Sequence, residues 1–188
     1  MSNKTGYLEI VIGCMYSGKT TRLLELHNMY GLCDVQCCVI NYSEDQRYHL
    51  TKLSTHDSRM IDSINTRLLS DVTDQYLDQF EVFLINEGQF FEDLYDVVSK
   101  LVDEHHKKVY VCGLDGDFKR NKFGQILDLI PICDKITKQY AICSKCKDGT
   151  KACFSMRLTK ETEQICIGSN NYIPVCRRCY HKYTTKTT

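Results

Sequence analysis

The sequence has no tryptophan, only two prolines and no net charge, because 24 Lys and Arg residues balance 24 Asp and Glu residues. No apolar run approaches the roughly 18–20 residues of a membrane-spanning helix, so we expect no membrane partner. The first five residues lack the apolar segment of a secretory signal. Proteins that bind nucleic acid usually carry an excess of basic residues, and the balanced charge therefore argues against a nucleic-acid partner.

Cysteine, in contrast, is abundant, with 12 residues in a chain of 188. Without a secretory signal we expect a cytoplasmic location, where thiols stay free or bind metal. Beyond about residue 141 the apolar runs shorten and cysteines arrive in pairs. We therefore predict a main domain over 1–142, a small metal-binding domain over 143–180 and a mobile tail over 181–188.

Residues 13–20 fit the phosphate-binding pattern G-x-x-x-x-G-K-[ST] at every required position. An apolar run precedes the motif and a helical pattern follows it, which is the context that such a loop needs. Lys19 would reach the β- and γ-phosphates of a nucleotide, and Thr20 would offer its hydroxyl to Mg²⁺. The alternative is a glycine-containing turn between strand and helix that binds nothing.

The periodicity of apolar residues predicts an α/β fold. Four apolar runs predict strands over 7–13, 35–41, 80–86 and 108–113. Helical spacing predicts helices over 19–31 and 92–106, and the polar segment 43–60 is predicted as a loop. This alternation predicts a parallel sheet with helices on both faces.

Two C-x-x-C pairs, Cys143 with Cys146 and Cys176 with Cys179, match a four-thiolate metal site. Four protein ligands would close the tetrahedral shell of a structural Zn²⁺. Two disulfides or a thioredoxin-like redox pair are the alternatives. His181 could in principle replace one ligand.

The apolar run that ends at Ile85 is followed by Asn86, Glu87, Gly88 and Gln89. In phosphate-loop proteins the strand beside the loop ends with polar residues near the metal and the reacting phosphate. Glu87 is therefore a candidate general base. The alternative is an ordinary carboxylate at a strand end.

Six motifs, in this order, resemble those of the type II thymidine kinases, the cytosolic kinases of animals, bacteria and large DNA viruses. They are Gly13–Thr20, Asp45–Tyr48, Thr55–Asp57, Glu87–Phe91, Leu114–Gly124 and the two cysteine pairs. The resemblance covers residues 7–180 and implies a phosphate-loop sheet with a small zinc-binding lasso domain. It also implies transfer of the γ-phosphate of ATP to the 5′-hydroxyl of thymidine, which supplies dTMP for DNA synthesis.

The resemblance further implies a set of site residues. Glu87 would take the proton from the thymidine hydroxyl, and Lys19, Arg120 and Arg157 would stabilise charge on the transferring group. ATP, with Mg²⁺, would contact Gly13, Cys14, Met15, Tyr16, Ser17, Gly18, Lys19, Thr20, Asp45, Gln46, Arg47, Asn86, Glu87, Gly88 and Gln89. The nucleoside would contact Met15, Phe90, Leu114, Phe118, Phe123, Ser155, Gln164, Ile165, Cys166, Ile167, Gly168 and Tyr172.

From the residues alone, Phe90 and Leu114 could equally be plain core. The resemblance also implies a homotetramer and feedback inhibition by dTTP. Two positions depart from the family's pattern, since Cys14 replaces a proline and Asn86 replaces an aspartate. Asparagine keeps an oxygen for a magnesium-bound water but lacks the charge, which predicts a raised magnesium requirement.

Two other functional classes compete with a nucleoside kinase. A phosphate-loop ATPase acting on nucleic acid, with the cysteines in a zinc ribbon, explains the loop and the cysteine pairs. It does not explain the charge balance or the segment from Leu114 to Gly124. A nucleotide sensor with weak catalysis is the third class, and Asn86 is its support.

Overall fold

The computed structural model describes residues 5–43, 52–54, 60–165 and 171–184. The strands are β1 (Tyr7–Gly13), β2 (Cys37–Tyr42), β3 (Lys52–Ser54), β4 (Met60–Asp62), β5 (Ile64–Thr66), β6 (Val82–Ile85), β7 (Lys108–Gly113), β8 (Lys135–Gln139), β9 (Ala141–Ile142), β10 (Lys151–Ala152), β11 (Phe154–Arg157) and β12 (Tyr172–Val175). The helices are α1 (Lys19–Gly31), α2 (Ser70–Tyr76), α3 (Leu94–Ser99) and α4 (Arg177–Thr184). A π-helical turn, Lys100–Glu104, continues α3, and 3₁₀ turns lie at Gly88–Phe90 and Ile126–Ile132.

Six strands form one parallel sheet in the order β5-β2-β6-β7-β1-β8. The predicted α/β class with a parallel sheet is therefore confirmed. The strand β1 lies inside the sheet, between β7 and β8, and the phosphate-binding motif follows its carboxyl end. Parallel strands bring their carboxyl ends to one edge, so the ends of β2, β6 and β7 lie along the same edge as the motif.

Both faces of this sheet are buried, which explains the nearly continuous apolar runs of its central strands. On one face Val11 and Leu84 pack with Leu23 and Leu26 of α1. The other face packs against α3 and the 3₁₀ turn of residues 126–132, in a cluster that includes Ile10, Phe83, Ile85, Leu94, Val98 and Ile126. Helical segments on both faces were predicted from the sequence.

A smaller element follows β8. The hairpins β9–β10 and β11–β12 pair antiparallel, and α4 packs beside them. Their own core contains Cys14, Ala141, Cys143, Ala152, Met156, Val175, Cys176, Cys179 and Tyr180. Cys14 belongs to the phosphate-binding motif, so this second core reaches into the main sheet's loop. The predicted division at residue 142 stays a prediction.

Several elements differ from the sequence-based expectations. Within the segment predicted as loop, residues 52–54 form β3, which pairs antiparallel with β4; residues 44–51 and 55–59 lie outside the described residues. Helix α2 was not predicted, because its short sequence carries little periodicity. Residues 181–184, predicted as part of a tail, belong to α4. Among the described residues, no helix is long and apolar enough to cross a bilayer.

Candidate active site

The phosphate-binding motif forms the connection between β1 and α1, where two glycines are required. Gly18 adopts a φ of 87° at the start of α1, a conformation that side chains disfavour. A Cβ at Gly13 would lie 2.4 Å from the backbone oxygen of Gln139 in β8. The loop therefore folds as the motif predicts, with the amino end of α1 facing the carboxyl edge of the sheet.

Lys19 is buried inside this loop, with 9% of its surface exposed. Its Nζ donates a hydrogen bond of 2.8 Å to the Cys14 carbonyl oxygen. Burial lowers the pKa of Lys19, and the charge of Glu87 partly opposes that shift. A buried ammonium group gains most from an anion brought beside it, which is the role predicted for Lys19 toward nucleotide phosphates.

Asn86 follows β6 and lies between Thr20 and β2, where it is 4% exposed. Its Nδ2 donates to Asn41 Oδ1 over 2.9 Å, so its Oδ1 faces Thr20, whose hydroxyl lies 3.5 Å away. The register that pairs Ile40 with Ile85 brings Asn41 and Asn86 together one residue further along. Asn41 was missed by sequence reasoning, because strands β2 and β6 are far apart in the chain.

Glu87 is held by Gln89, whose side chain is 3% exposed. Gln89 Nε2 donates to Glu87 Oε2 over 2.6 Å, and Gln89 Oε1 accepts the Leu114 backbone N–H over 2.9 Å. A Cβ at Gly113 would lie 2.4 Å from Gln89 Oε1, so glycine there makes room for this amide. Gln89 thus holds the Glu87 carboxylate in place, because its own side chain is fixed by the Leu114 backbone. The predicted contact of Gln89 with ATP stays a prediction.

Glu87 also adopts an unusual backbone conformation, with a φ of 53°. A non-glycine residue in this left-handed region is uncommon and costs about 1 kcal/mol or more. The turn Gly88–Phe90 follows it directly. Such a conformation persists only where the surrounding structure imposes it, and here it places a carboxylate, held by Gln89, at the edge of the sheet within electrostatic range of Lys19.

An aromatic cluster lies next to this edge. Phe90 stacks on Tyr42 with ring centroids 5.2 Å apart, and Phe123 meets Phe90 edge-on at 5.4 Å. Phe90 and Leu114 are half-buried, whereas Phe123 is buried. Phe90 and Phe123, predicted to contact the nucleoside, therefore lie together. Tyr42 was missed, although its position at the carboxyl end of a parallel strand was a usable signal.

Phe118 and Arg157 form a second cluster. The Arg157 guanidinium lies 3.7 Å from the Phe118 ring centroid, and its Nε donates to the Tyr172 hydroxyl over 3.1 Å. Further donors of Arg157 reach backbone oxygens of residues 161, 163 and 164. The structure thus brings together three of the predicted site residues, Phe118, Arg157 and Tyr172.

Asp117 connects the turn of residues 117–121 to the segment between the two cysteine pairs, called the lasso below. Its Oδ1 accepts the backbone N–H groups of Lys119 and Asn121, each over 2.8 Å, and its Oδ2 accepts Gln164 Nε2 over 3.0 Å. Gln164 therefore contacts Asp117 through its side chain. Ile165, also predicted to contact the nucleoside, is 54% exposed.

Arg120 takes a different position from the other predicted residues. Its guanidinium lies 4.5 Å from the Tyr180 ring centroid and 5.6 Å from that of Phe154. Both rings belong to the small cysteine-rich element. The side chain is exposed and its φ is 67°. In the described structure Arg120 packs on aromatic rings, and its predicted role toward phosphate stays a prediction.

The phosphate-binding loop is fastened to the small element at two points. The Met15 N–H donates to Ser155 Oγ over 2.9 Å, and Cys14 Sγ donates to the Ala152 carbonyl oxygen over 3.4 Å. Cys14 is buried, and burial raises the pKa of its thiol. Ser155 thus orients a loop amide, which is a role that its predicted contact with the nucleoside did not include.

The four paired cysteines converge on one point. The sulfur atoms of Cys143, Cys146, Cys176 and Cys179 all lie within 4.8 Å of one another. A tetrahedron with metal–sulfur bonds of about 2.3 Å has edges of about 3.8 Å, so these thiols fit a Zn²⁺ ion. Their gathering into one cluster, rather than two bonded pairs, agrees with a metal site and not with two disulfides.

Hydrogen bonds prepare this cluster for metal. Burial opposes ionisation of Cys143, but the backbone N–H groups of Cys176, Cys146 and Lys145 lower the pKa of its thiol to about 6. Arg178 Nη2 donates to Cys146 Sγ over 3.5 Å and adds a positive charge beside the thiolates. The hydrogen bonds to Cys143 thus favour the deprotonated form that binds metal, whereas burial and the neighbouring cysteines raise the pKa of Cys179 to about 12, so metal binding would release a proton there.

Some predicted residues lie outside the described residues. They are Asp45, Gln46, Arg47, Cys166, Ile167 and Gly168. Tyr16, Ser17 and Gly88 lie in the described loop and turn as expected, with Tyr16 at a φ of 63°. The contacts of all these residues with ATP or nucleoside stay predictions.

Comparison with known proteins agrees with this geometry. A protein-family model described as thymidine kinase matches residues 6–180. The thymidine kinase of sheeppox virus (strain KS-1) is 40% identical over 177 residues, which cover 93% of this chain and 97% of that protein. The thymidine kinase of vaccinia virus (strain Western Reserve) is 41% identical over 176 residues, again covering 93% of this chain and 97% of the relative.

Proposed function

This chain belongs to the thymidine kinase family, and from that premise we propose that it transfers the γ-phosphate of ATP to the 5′-hydroxyl of thymidine. The observation that carries the proposal is the placement of Lys19 and Glu87 at one edge of the sheet. Lys19 supplies a buried positive charge for phosphate, and Glu87 supplies a fixed base for a hydroxyl proton. The products are dTMP and ADP.

Glu87 accepts the proton of the thymidine hydroxyl as that oxygen attacks the γ-phosphate. Its carboxylate is kept in place by Gln89 and by the backbone turn that begins at Gly88. A positioned base of this kind contributes about 10²–10⁴ to the rate. Lys19 and the amides of the loop bind the phosphates and keep the γ-phosphate in line with the attacking oxygen.

Two side-chain oxygen atoms at the loop are suitable ligands for a magnesium ion. The Thr20 hydroxyl and the Asn86 carboxamide oxygen face each other and would hold Mg²⁺ directly or through its water shell. The ion, when bound with ATP, neutralises charge on the β- and γ-phosphates. Because both protein groups are neutral, their attraction for the ion is weaker than that of a carboxylate.

The nucleoside is placed against the aromatic side chains beside Glu87. Phe90 and Phe123 supply one wall and Phe118 the other, with Leu114 between them in the chain. Such apolar surfaces, with few polar groups, are typical of sites for small molecules. In this proposal the segment between the two cysteine pairs would cover the bound nucleoside and exclude water that would otherwise accept the phosphoryl group.

The zinc site is structural in this proposal. Four thiolates leave no open position on the ion, and the small element that they organise holds the phosphate loop through Ser155 and Ala152. We place the enzyme in the cytoplasm, where thiols stay reduced. A homotetramer and feedback inhibition by dTTP complete the proposal.

A panel of acceptors tests this function against the nucleic-acid alternative. ADP formation is measured with thymidine, with deoxycytidine, with single-stranded DNA and without an acceptor. The proposal predicts turnover with thymidine and little with the other three. ATP hydrolysis that ignores thymidine and rises with single-stranded DNA would instead support a nucleic-acid-dependent ATPase.

A further inference from the structure

Arg157 stands at the end of β11 with only 9% of its surface exposed. An arginine has five N–H donors in a fixed planar arrangement and no acceptor. A buried arginine is therefore characterised by where these five donors go. If Arg157 stabilises charge on a phosphoryl group, at least one donor must be available for that group.

All five donors are already matched by acceptors of the lasso. Nε and one Nη2 donor reach the Tyr172 hydroxyl, and the other Nη2 donor reaches the Gln164 backbone oxygen over 3.1 Å. The two Nη1 donors reach the backbone oxygens of Glu161, over 2.9 Å, and Glu163, over 2.5 Å. Binding a phosphate oxygen would require Arg157 to give up at least one of these partners.

The flat face of the same guanidinium is also occupied. It stacks on Phe118, with 3.7 Å between the guanidinium carbon and the ring centroid. The centroid of the Tyr172 ring lies 5.0 Å from the same guanidinium carbon. Arg157 therefore joins Phe118, which comes from the segment after β7, to Tyr172 and to residues 161–164. Two single hydrogen bonds also bridge from the segment after β7 to residues 161–164, from Lys119 Nζ to the Thr162 carbonyl oxygen and from Gln164 Nε2 to Asp117 Oδ2.

We propose that Arg157 is a positioning residue that holds residues 161–164 and Tyr172 against Phe118, so that it sets nucleoside affinity rather than the rate of phosphoryl transfer. This inference rests on the proposed function, because nucleoside affinity is defined by the kinase reaction. It predicts that the planar five-donor arrangement matters and that the positive charge alone does not.

Two substitutions separate geometry from charge. Arg157→Lys keeps the charge but offers three donors from one atom, whereas Arg157→Gln removes the charge. We expect both variants to raise the thymidine KM at least about tenfold, since each loses charge-assisted hydrogen bonds, with kcat within about threefold of the parent. Tyr172→Phe removes the hydroxyl that accepts from both Nε and Nη2 of Arg157, and it should raise the thymidine KM by a smaller factor. Arg67→Gln, at an exposed position after β5, is the matched control.

A second readout does not depend on activity. Arg157 binds the carbonyl oxygens of Glu161 and Glu163, which belong to the bonds that a glutamate-specific protease cleaves. We expect both Arg157 variants, without any nucleotide, to be cleaved there at least about tenfold faster than the parent, because cleavage follows the population of the open segment. The Arg67→Gln control should be cleaved like the parent.

The result that overturns the proposal is a charge effect. Arg157→Lys would then keep the parent KM as well as the parent kcat, Arg157→Gln would change more in kcat than in KM, and neither variant would be cleaved faster. Parent protein that does not phosphorylate thymidine would refute the proposed function instead. The cleavage assay would still decide whether Arg157 holds the lasso.

Discussion

Replacing Asn86 with aspartate tests the prediction that the Asn86 side-chain oxygen faces the magnesium ion. Asn86 is 4% exposed, and its amide nitrogen donates to Asn41 while its oxygen faces Thr20. A carboxylate has no donor, so in Asn86→Asp the Asn41 side chain must turn its own amide to donate to the new oxygen. The other carboxylate oxygen would then face Thr20 and the ion, carrying a negative charge.

The magnitude follows from the two kinds of hydrogen bond. A bond to an ionised group contributes about 1.5–3 kcal/mol, against about 0.5–1.5 kcal/mol for a neutral one. A gain of about 1 kcal/mol corresponds to a roughly fivefold lower magnesium concentration for half-maximal rate. The thymidine KM should hardly change. Without magnesium, the buried carboxylate should lower the free energy of unfolding by about 1–3 kcal/mol, because it loses water and lacks a full set of donors.

Three measurements examine this expectation on the parent, Asn86→Asp and a control. They are a magnesium titration of the rate, calorimetric titration of ADP at several magnesium concentrations and thermal unfolding with and without magnesium. Asn28→Asp adds the same charge on the exposed face of α1, about 14 Å along the helix from Lys19. It should leave the magnesium and ADP titrations unchanged, and any change in its melting temperature, caused by a negative charge in the last turn of α1, should be the same with and without magnesium.

Superimposable magnesium curves for the parent and Asn86→Asp, with a lower melting temperature for the variant, would refute the reasoning. The Asn86 oxygen would then be structural and would not face the ion. Asn86→Asp combined with Asn41→Leu sharpens the test. Leucine cannot donate to the carboxylate, so the double variant should be less stable than the sum of the single variants predicts.

Three further predictions concern the other parts of the site. Glu87→Gln should lower kcat by about 10²–10⁴ with ADP affinity unchanged, because Gln89 can still bond to the amide oxygen; a fully active variant would remove Glu87 from the mechanism. Burial lowers the pKa of Lys19, so the unfolded chain holds this proton more tightly, and the contribution of Lys19 to the free energy of unfolding of nucleotide-free protein, read as the difference between the parent and Lys19→Met, should rise as pH approaches about 10.5. Urea unfolding of both proteins at several pH values would show that rise, and calorimetry would show that Lys19→Met abolishes nucleotide binding. Removing zinc with a chelator, or Cys176→Ser, should weaken ADP binding as well as lower the melting temperature, because Ser155 would no longer hold the Met15 amide; metal-depleted protein with parent ADP affinity would contradict this coupling.

The parts of the site that are local in sequence could be predicted from it. The loop from Gly13 to Thr20 and the cysteine pairs carry their geometry in their spacing, because a few bonds fix how far such residues can separate. The long apolar runs likewise predicted the central strands, since strands buried on both faces need apolar side chains throughout. These features required no knowledge of distant contacts.

The contacts between distant segments could not be predicted. Asn41 contacts Asn86 only because β2 and β6 are neighbours in the sheet. The order of the strands cannot be predicted from the sequence of either strand alone. Arg157 uses its donors on the lasso because of the path that residues 161–164 take, which no periodicity encodes. The resemblance to thymidine kinases identified Arg157 as a site residue. Only its hydrogen-bond partners in the structure indicate which segments it holds together.

Transfer of labelled phosphate from ATP to thymidine tests directly whether this protein phosphorylates the nucleoside. Protein is mixed with ATP labelled in the γ-phosphate, with Mg²⁺ and with thymidine or 5′-deoxythymidine, which lacks the acceptor hydroxyl. We expect one labelled dTMP for each ADP formed with thymidine, and no labelled nucleoside with 5′-deoxythymidine. Label released only as inorganic phosphate, at equal rates with either nucleoside, would contradict this expectation.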